Sequence, residues 1–240
     1  MAKPKKTIQT LTDLTDHDDY TWLDCDQIDR NPDQDRLDWD SDYAIEKYEN
    51  LKSSILHDGK VKRAIEVYLK PDGRYEIIAG ERRWRISVEL GCPKIPTVIR
   101  KGITAEQASI DMLTESEHHS PLSLIERALA FKKRQEKFGM SVVELAEKTG
   151  IEARRIYECM SILKLDKELL DIVKENFTRD LKVVLGLGRL KQKDSEIYRE
   201  GLTLLSKNEL TRESLKTLKA QCKSKTSDLK AEIPILSTKL

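Results

Sequence analysis

The 240-residue chain is poor in several things at once, and each shortage excludes something. Aromatic residues make up 5% and apolar residues 38%, against 35% charged. That composition argues against one large core and suits small helical modules with charged surfaces. No apolar run approaches the roughly 18 residues of a membrane span. The N-terminal "MAKPKKTIQT" lacks the apolar core of a secretory signal, so a cytoplasmic protein is expected. The four cysteines, Cys25, Cys92, Cys159 and Cys222, form no C-x-x-C pair, which disfavours a zinc site and fits reduced thiols.

The formal net charge is only +1, but it is unevenly spread. Residues 11–50 hold fourteen Asp and Glu against three Lys and Arg, whereas residues 51–100 hold eleven basic against six acidic, and residues 201–240 eight against four. The acidic stretch reads first as a solvated tail, and otherwise as a flap over a basic groove or a partner surface.

Residues 1–20 are polar and aperiodic, a disordered tail. "WLDCDQIDRNP" offers a short strand. "SDYAIEKYENLKSSILHDG" places Ile45, Tyr48, Leu51 and Ile55 at helical spacing, with Gly59 as its stop. "AIEVYLK" and "RYEIIAG" flank Pro71-Asp72-Gly73, a hairpin signal. "ERRWRISVEL" is a helix closed by Gly91, with Trp84 and Val88 as its core anchors, and "KIPTVIRK" is a strand. Residues 21–103 are therefore α+β. Residues 104–200 are helical, with capping-box patterns at Ser123/Glu126 and Ser141/Glu144. Residues 201–240 are a basic helical C-terminal segment.

"YEIIAGERRWRISVELG" carries the chemistry. Gly80 permits a sharp turn, and the helix opening at Glu81 presents unpaired N–H groups and a partial positive charge, a ready anion site. Arg82 and Arg85 share a face, with Arg83 to the side, and guanidinium forks suit phosphate. Glu81 would hold an arginine in place or serve a metal through water. An ordinary basic helix face paired to the acidic N-terminal region is the competing reading.

In "SVVELAEKTGIEARRIYECMSILKL", Val142, Leu145 and Ala146 face inward, Gly150 makes a tight turn, and Ile156, Met160 and Leu163 line one face of the second helix. This is a helix-turn-helix pattern. Arg154 and Arg155 sit in the first turn of the second helix, where side chains reach base edges or phosphates, with Tyr157, Glu158 and Lys164 beyond. Arg189, Lys191 and Lys193 read equally as backbone contacts or as solvated charges.

These motifs resemble the ParB family of DNA-partition proteins over about residues 22–190. The carriers are GERRWR, the upstream "NPDQDR" (Asn31, Pro32, Gln34, Arg36), "LKSSILHDG" and the helix-turn-helix. The resemblance implies a ParB/sulfiredoxin-like α+β domain followed by an all-α helix-turn-helix DNA-binding domain. It also implies CTP with Mg²⁺ held by Gly80, Glu81, Arg82, Arg83, Arg85, Glu115, Ser116 and His119, with Glu115 toward the metal. The family's ENxxR element is altered here: in "ESEHHSPLSLIERA", Ser116 stands for Asn, His119 for Arg and Leu124 for Pro. Ser reaches less far, and His lacks the two-pronged contact of Arg. A slow or absent CTPase follows, and His118 and His119 read equally as loop residues. "VKRAIEVY" also lacks the family's usual proline.

The implied function is a site-specific partition protein, a CTP-dependent clamp on double-stranded DNA in plasmid or chromosome segregation. It would be dimeric on an inverted repeat, have a ParA-type ATPase as partner, and reside on DNA in the cytoplasm. Residues 211–225 would supply a short helical substitute for the family's dimerisation domain. Two alternatives stay open: a ParB-like transcriptional regulator without nucleotide control, and a nucleotide-dependent phosphotransferase using Cys92.

Overall fold

A computed structural model describes residues 18–119, 122–175 and 180–231. The chain divides into two compact units, 1–121 and 122–240.

The first unit is built on a five-stranded sheet of order β1-β5-β3-β4-β2. Its strands are β1 Asp18–Asp24, β2 Ile28–Asp29, β3 Ile65–Leu69, β4 Tyr75–Ala79 and β5 Lys94–Arg100. The β3–β4 pair is the expected hairpin: Lys70 N–H donates to the Arg74 carbonyl, and Gly73 adopts φ 84° between them. Side chains alternate across the sheet. Ile65, Val67, Ile77 and Ile95 pack with Leu23, Cys25, Ile28 and Trp84 on one face. Tyr68 and Ile78 pack with Ala108 and Met112 on the other.

Helix α1 (Asp42–Asp58) is capped by Ser41 and ended by Gly59 in the left-handed region. Its inward residues are Ala44, Tyr48, Leu51 and Ile55; Ile45 points to solvent, because the stripe begins one residue earlier than the sequence spacing suggested. Helix α2 (Glu81–Glu89) buries Ile86 and Ser87. Trp84 does anchor it, donating from Nε1 to the Cys25 carbonyl, but Val88 is exposed. Helix α3 (Ala105–His119) supplies Ala108 and Met112 to the sheet core, so it belongs to the first unit. The boundary therefore lies at 121/122, not 103/104. The expected disordered tail is also too long by three residues: 18–20 already pair with β5, and residues 1–17 lie outside those described.

The second unit is helical: α4 Leu124–Phe138, α5 Val142–Thr149, α6 Ala153–Met160, α7 Lys167–Glu175, α8 Leu181–Gly188, α9 Ser195–Ser206 and α10 Arg212–Ala231. Both capping boxes form, at Ser123/Glu126 and Ser141/Glu144. α9 escaped the sequence reading although Asp194 caps it, accepting from Glu196 and Ile197 N–H at 3.0 Å. Leu215, Leu218 and Cys222 of α10 enter the core with Val184, Leu187, Leu202 and Leu205. The C-terminal segment is thus part of this unit rather than a separate piece. At Gly186 a Cβ would lie 2.5 Å from Leu215 Cδ2, so α8 and α10 approach closely only because residue 186 lacks a side chain.

Candidate phosphate and nucleic-acid sites

The glycine-arginine turn joins β4 to α2. Gly80 has φ 98°, and a Cβ there would come within 2.7 Å of Ile65 Cγ2 and 2.9 Å of Arg83 Nη2. Both the dihedral and the space therefore require glycine. Beside it lies a cavity of about 230 Å³ lined by Gly80, Glu81, Arg82 and Arg83, by Gln34, Arg36, Trp39 and Arg63, and by Glu115 and Ser116 of α3.

Glu81 is buried, and it is satisfied by other parts of the same unit. It accepts from Arg30 Nε at 2.9 Å, from the Gln34 amide, and from Arg85 Nε and Nη2 at 2.8 and 2.6 Å. Of the two roles foreseen for Glu81, holding an arginine is the one the geometry presents. Asn31 fixes the incoming segment: its amide donates to the Ile77 carbonyl and its Oδ1 accepts from Asp33 N–H. The NPDQDR and GERRWR motifs are therefore one hydrogen-bonded assembly.

The arginines divide differently from the face argument. Arg85 is taken up by Glu81 and stacks on Trp39, 3.7 Å from guanidinium carbon to ring centroid, and it does not line the cavity. A carboxylate one turn back thus holds Arg85 in place beside the cavity. Arg82 and Arg83 do line the cavity. Arg83 Nη1 donates to the carbonyls of Arg63 and Ala64, latching the turn to the start of β3. Burial, with Arg63 beside it, lowers the pKa of Arg83, a cost that an anion in the cavity would relieve. Glu115 and Ser116 of α3, both half-buried, complete the lining. His119 ends α3, but the side chains of His118 and His119 lie outside the described residues. Trp39 and Arg63 were missed; neither falls inside a recognisable motif spacing. Cys92 is not among the residues that line this cavity.

In the second unit α5 and α6 are joined through Gly150, at φ 72° with its N–H bonded to the Ala146 carbonyl. Ile156, Cys159 and Ile162 carry the burial on the inner side, and Met160 and Leu163 are only half-buried, so the inner face lies a residue away from the one expected. Arg154, Arg155 and Tyr157 are exposed, as is Lys164 in the following turn. Arg154, with 85% of its side chain exposed, donates from Nε to Glu158 Oε1 at 3.0 Å. A groove of about 710 Å³ runs beside this helix, lined by Glu152, Arg154, Arg155 and Glu158 and by Asp180, Leu181, Lys182 and Arg212. Tyr157 and Lys164 are outside it. Lys182 and Arg212 are additions from α8 and α10 that no local pattern announced. Arg212 Nε meets Asp180 Oδ2 at 2.6 Å. Lys191 Nζ lies 3.5 Å from Asp166 Oδ1.

The model of the ParB N-terminal domain matches residues 10–116, and that of the ParB HTH domain matches residues 120–224.

The chain belongs to the ParB family.

It is similar to the nucleoid occlusion protein of Oceanobacillus iheyensis, 31% identical over 160 residues, covering 65% of this chain and 54% of that protein. It is also similar to the chromosome-partitioning protein ParB of Caulobacter vibrioides, 32% identical over 144 residues, covering 59% and 45%. The chain thus spans about half the length of the curated relatives it matches. Among solved structures, the C-terminally truncated ParB from Caulobacter crescentus, complexed to the centromeric parS site, matches with a TM-score of 0.54 at 23% identity. That match covers 85% of this chain and 99% of the other, a likeness of ParB fold. The expected fold class, an α+β ParB-type domain followed by a helical domain, is the observed one.

Proposed function

We propose that this ParB-family chain is a site-specific DNA-binding partition protein acting in plasmid or chromosome segregation. In this reading the first unit holds a nucleoside triphosphate, CTP with Mg²⁺, as the switch of a clamp, and the second unit reads duplex DNA through α6. The observation that carries the reading is the cavity at Gly80, lined by Arg36, Arg63, Arg82 and Arg83 at a helix N-terminus, with Glu115 as a second lining carboxylate besides the arginine-paired Glu81. Guanidinium groups and helix N–H groups suit phosphate oxygens, and a carboxylate suits a divalent cation that shares its shell with those oxygens. Among the described residues no group of three or more His, Cys, Asp and Glu could hold a metal ion, so Glu115 would depend on the phosphates to complete a site.

Supporting the DNA half are the helix-turn-helix, the exposed Arg154 and Arg155, and the Caulobacter crescentus relative, which is a complex with its centromeric parS site. The same reading places the protein on DNA in the cytoplasm, as a dimer on an inverted repeat, with a ParA-type ATPase as partner. No helix among the described residues is long and apolar enough to cross a membrane. Titration calorimetry with CTP, ATP and GTP, with and without Mg²⁺, tests the nucleotide half. Saturable, Mg²⁺-dependent heat with CTP supports it. Heat with none of the three leaves instead the family-like DNA-binding regulator without nucleotide control, which the altered Ser116 also favours.

A further inference from the structure

Helix α10 has two faces. Leu215, Leu218 and Cys222 are buried in the core of the second unit. Arg212, Lys216, Lys219 and Lys223 recur at i, i+4, i+7 and i+11, all exposed. The apolar side chains described on this helix are taken up within the unit, and the opposite face is basic.

An ordinary solvated helix face mixes charge signs and pairs them at i, i+4. Ion pairs of that kind occur elsewhere in the chain, at Lys62–Asp58, Lys132–Glu136 and Arg154–Glu158. On α10, Glu213 is the one carboxylate among the described side chains, and no carboxylate among the described residues pairs with Lys216, Lys219 or Lys223. A Cβ at Gly186 would lie 3.0 Å from Lys219 Nζ and 3.5 Å from its Cε, so the end of this side chain rests against α8.

The stripe is continuous with the groove beside α6. Arg212, at its N-terminal end, lines that groove together with Arg154 and Arg155. From residue 212 to residue 223 the helix advances about 16 Å at 1.5 Å per residue. That length matches about five phosphates of one strand at 3.4 Å each along the duplex axis.

We propose that the Arg212–Lys216–Lys219–Lys223 face of α10 is a second DNA-contacting surface, gripping the phosphate backbone that flanks the site read by α6 without reading bases itself. The inference rests on the DNA-reading assignment of α6, but its test does not share that assignment's fate. Ammonium groups on flexible stems act on phosphate as point charges and carry no base code.

The test compares the full chain with the triple variant Lys216→Gln/Lys219→Gln/Lys223→Gln on duplex DNA across a salt series. A control variant, Lys167→Gln/Lys174→Gln/Lys207→Gln, removes the same charge from exposed positions elsewhere in the unit. On random DNA, and on any site recovered by selection, the α10 variant should bind more than tenfold more weakly at low salt. Its slope of log K against log salt should be shallower by about 3, at about 0.9 per lost phosphate contact. The control should move the slope by less than about 1, and the base preference of the α10 variant should be that of the parent. An unchanged slope, or a control that moves it as far, overturns the proposal, as does an altered base preference. If selection returns no preferred site, the α6 reading falls, and the slope on random DNA still decides this one.

Discussion

The side-chain amide of Gln34 donates a hydrogen bond to the buried carboxylate of Glu81, 47 positions along the chain. Arg30 and Arg85 reach the same carboxylate. Glu81 therefore welds the segment after β2 to the first turn of α2 and sets the wall of the candidate phosphate cavity. Its charge is balanced within the fold, which leaves Arg82 and Arg83 as the arginines of the box that line the cavity.

Glu81→Gln should lower the stability of the first unit by about 2–3 kcal/mol, since hydrogen bonds to a charged group are worth about 1.5–3 kcal/mol each and two cations lose their partner. Urea unfolding of the full chain measures it. A midpoint equal to that of the parent shows that Glu81 does not hold the two motifs together.

The three arginines of the box should separate by phenotype. Arg82→Ala should abolish triphosphate binding with a smaller loss of melting temperature than Arg83→Ala. Arg83→Ala should lose binding and stability together, because its guanidinium also holds the carbonyls of Arg63 and Ala64. Arg85→Ala should act mainly on stability, through Glu81 and Trp39. Calorimetry paired with thermal melts reads both quantities, and unchanged affinity in both Arg82→Ala and Arg83→Ala contradicts the phosphate assignment.

Ser116 bears on hydrolysis. It stands where the family's motif has Asn, and phosphoryl transfer depends on positioning and charge neutralisation. Phosphate release from CTP should therefore be slow or absent in the parent and rise in Ser116→Asn. Fast Mg²⁺-dependent release by the parent refutes this.

At the hairpin end, hydrogen bonds from Arg74 and Lys70 hold the Asp29 carboxyl at about 2, below its ordinary 3.8. The folded state thus binds this proton less readily than the unfolded chain, so the stabilisation is complete above about pH 4 and fades as the pH falls toward 2. The melting-temperature gap between the parent and Asp29→Asn should be widest near neutral pH and close below about pH 4. A gap of equal size at about pH 7 and pH 2.5 contradicts the linkage.

What was legible in the sequence was what local chemistry dictates. The Pro71-Asp72-Gly73 hairpin, both capping boxes and the glycine stops at 59 and 150 all form where their residues announce them. What was not legible depends on contacts between distant positions. α3 has a weakly amphipathic sequence, and only the sheet beneath it shows that Ala108 and Met112 belong to the first unit. The capture of Arg85 by Glu81 was within reach of i, i+4 spacing. The arrival of Arg30, Arg63 and Trp39 at the same site was not, and neither was the meeting of Lys182 and Arg212 with Arg154.

The most direct test of the account is selection from a random pool of duplex DNA, followed by binding of the recovered site by the parent, Arg154→Ala and Arg155→Ala. The account predicts an inverted repeat, because a two-fold protein dimer mirrors its symmetry in its site. An arginine that reads a base should cost about 1–3 kcal/mol on removal and relax preference at one base pair. One that holds phosphate should weaken selected and random DNA alike and lower the salt slope by about 1. Recovery of no preferred sequence, or alanine variants that both bind the selected site as tightly as the parent, would contradict the assignment of α6 as the DNA-reading helix.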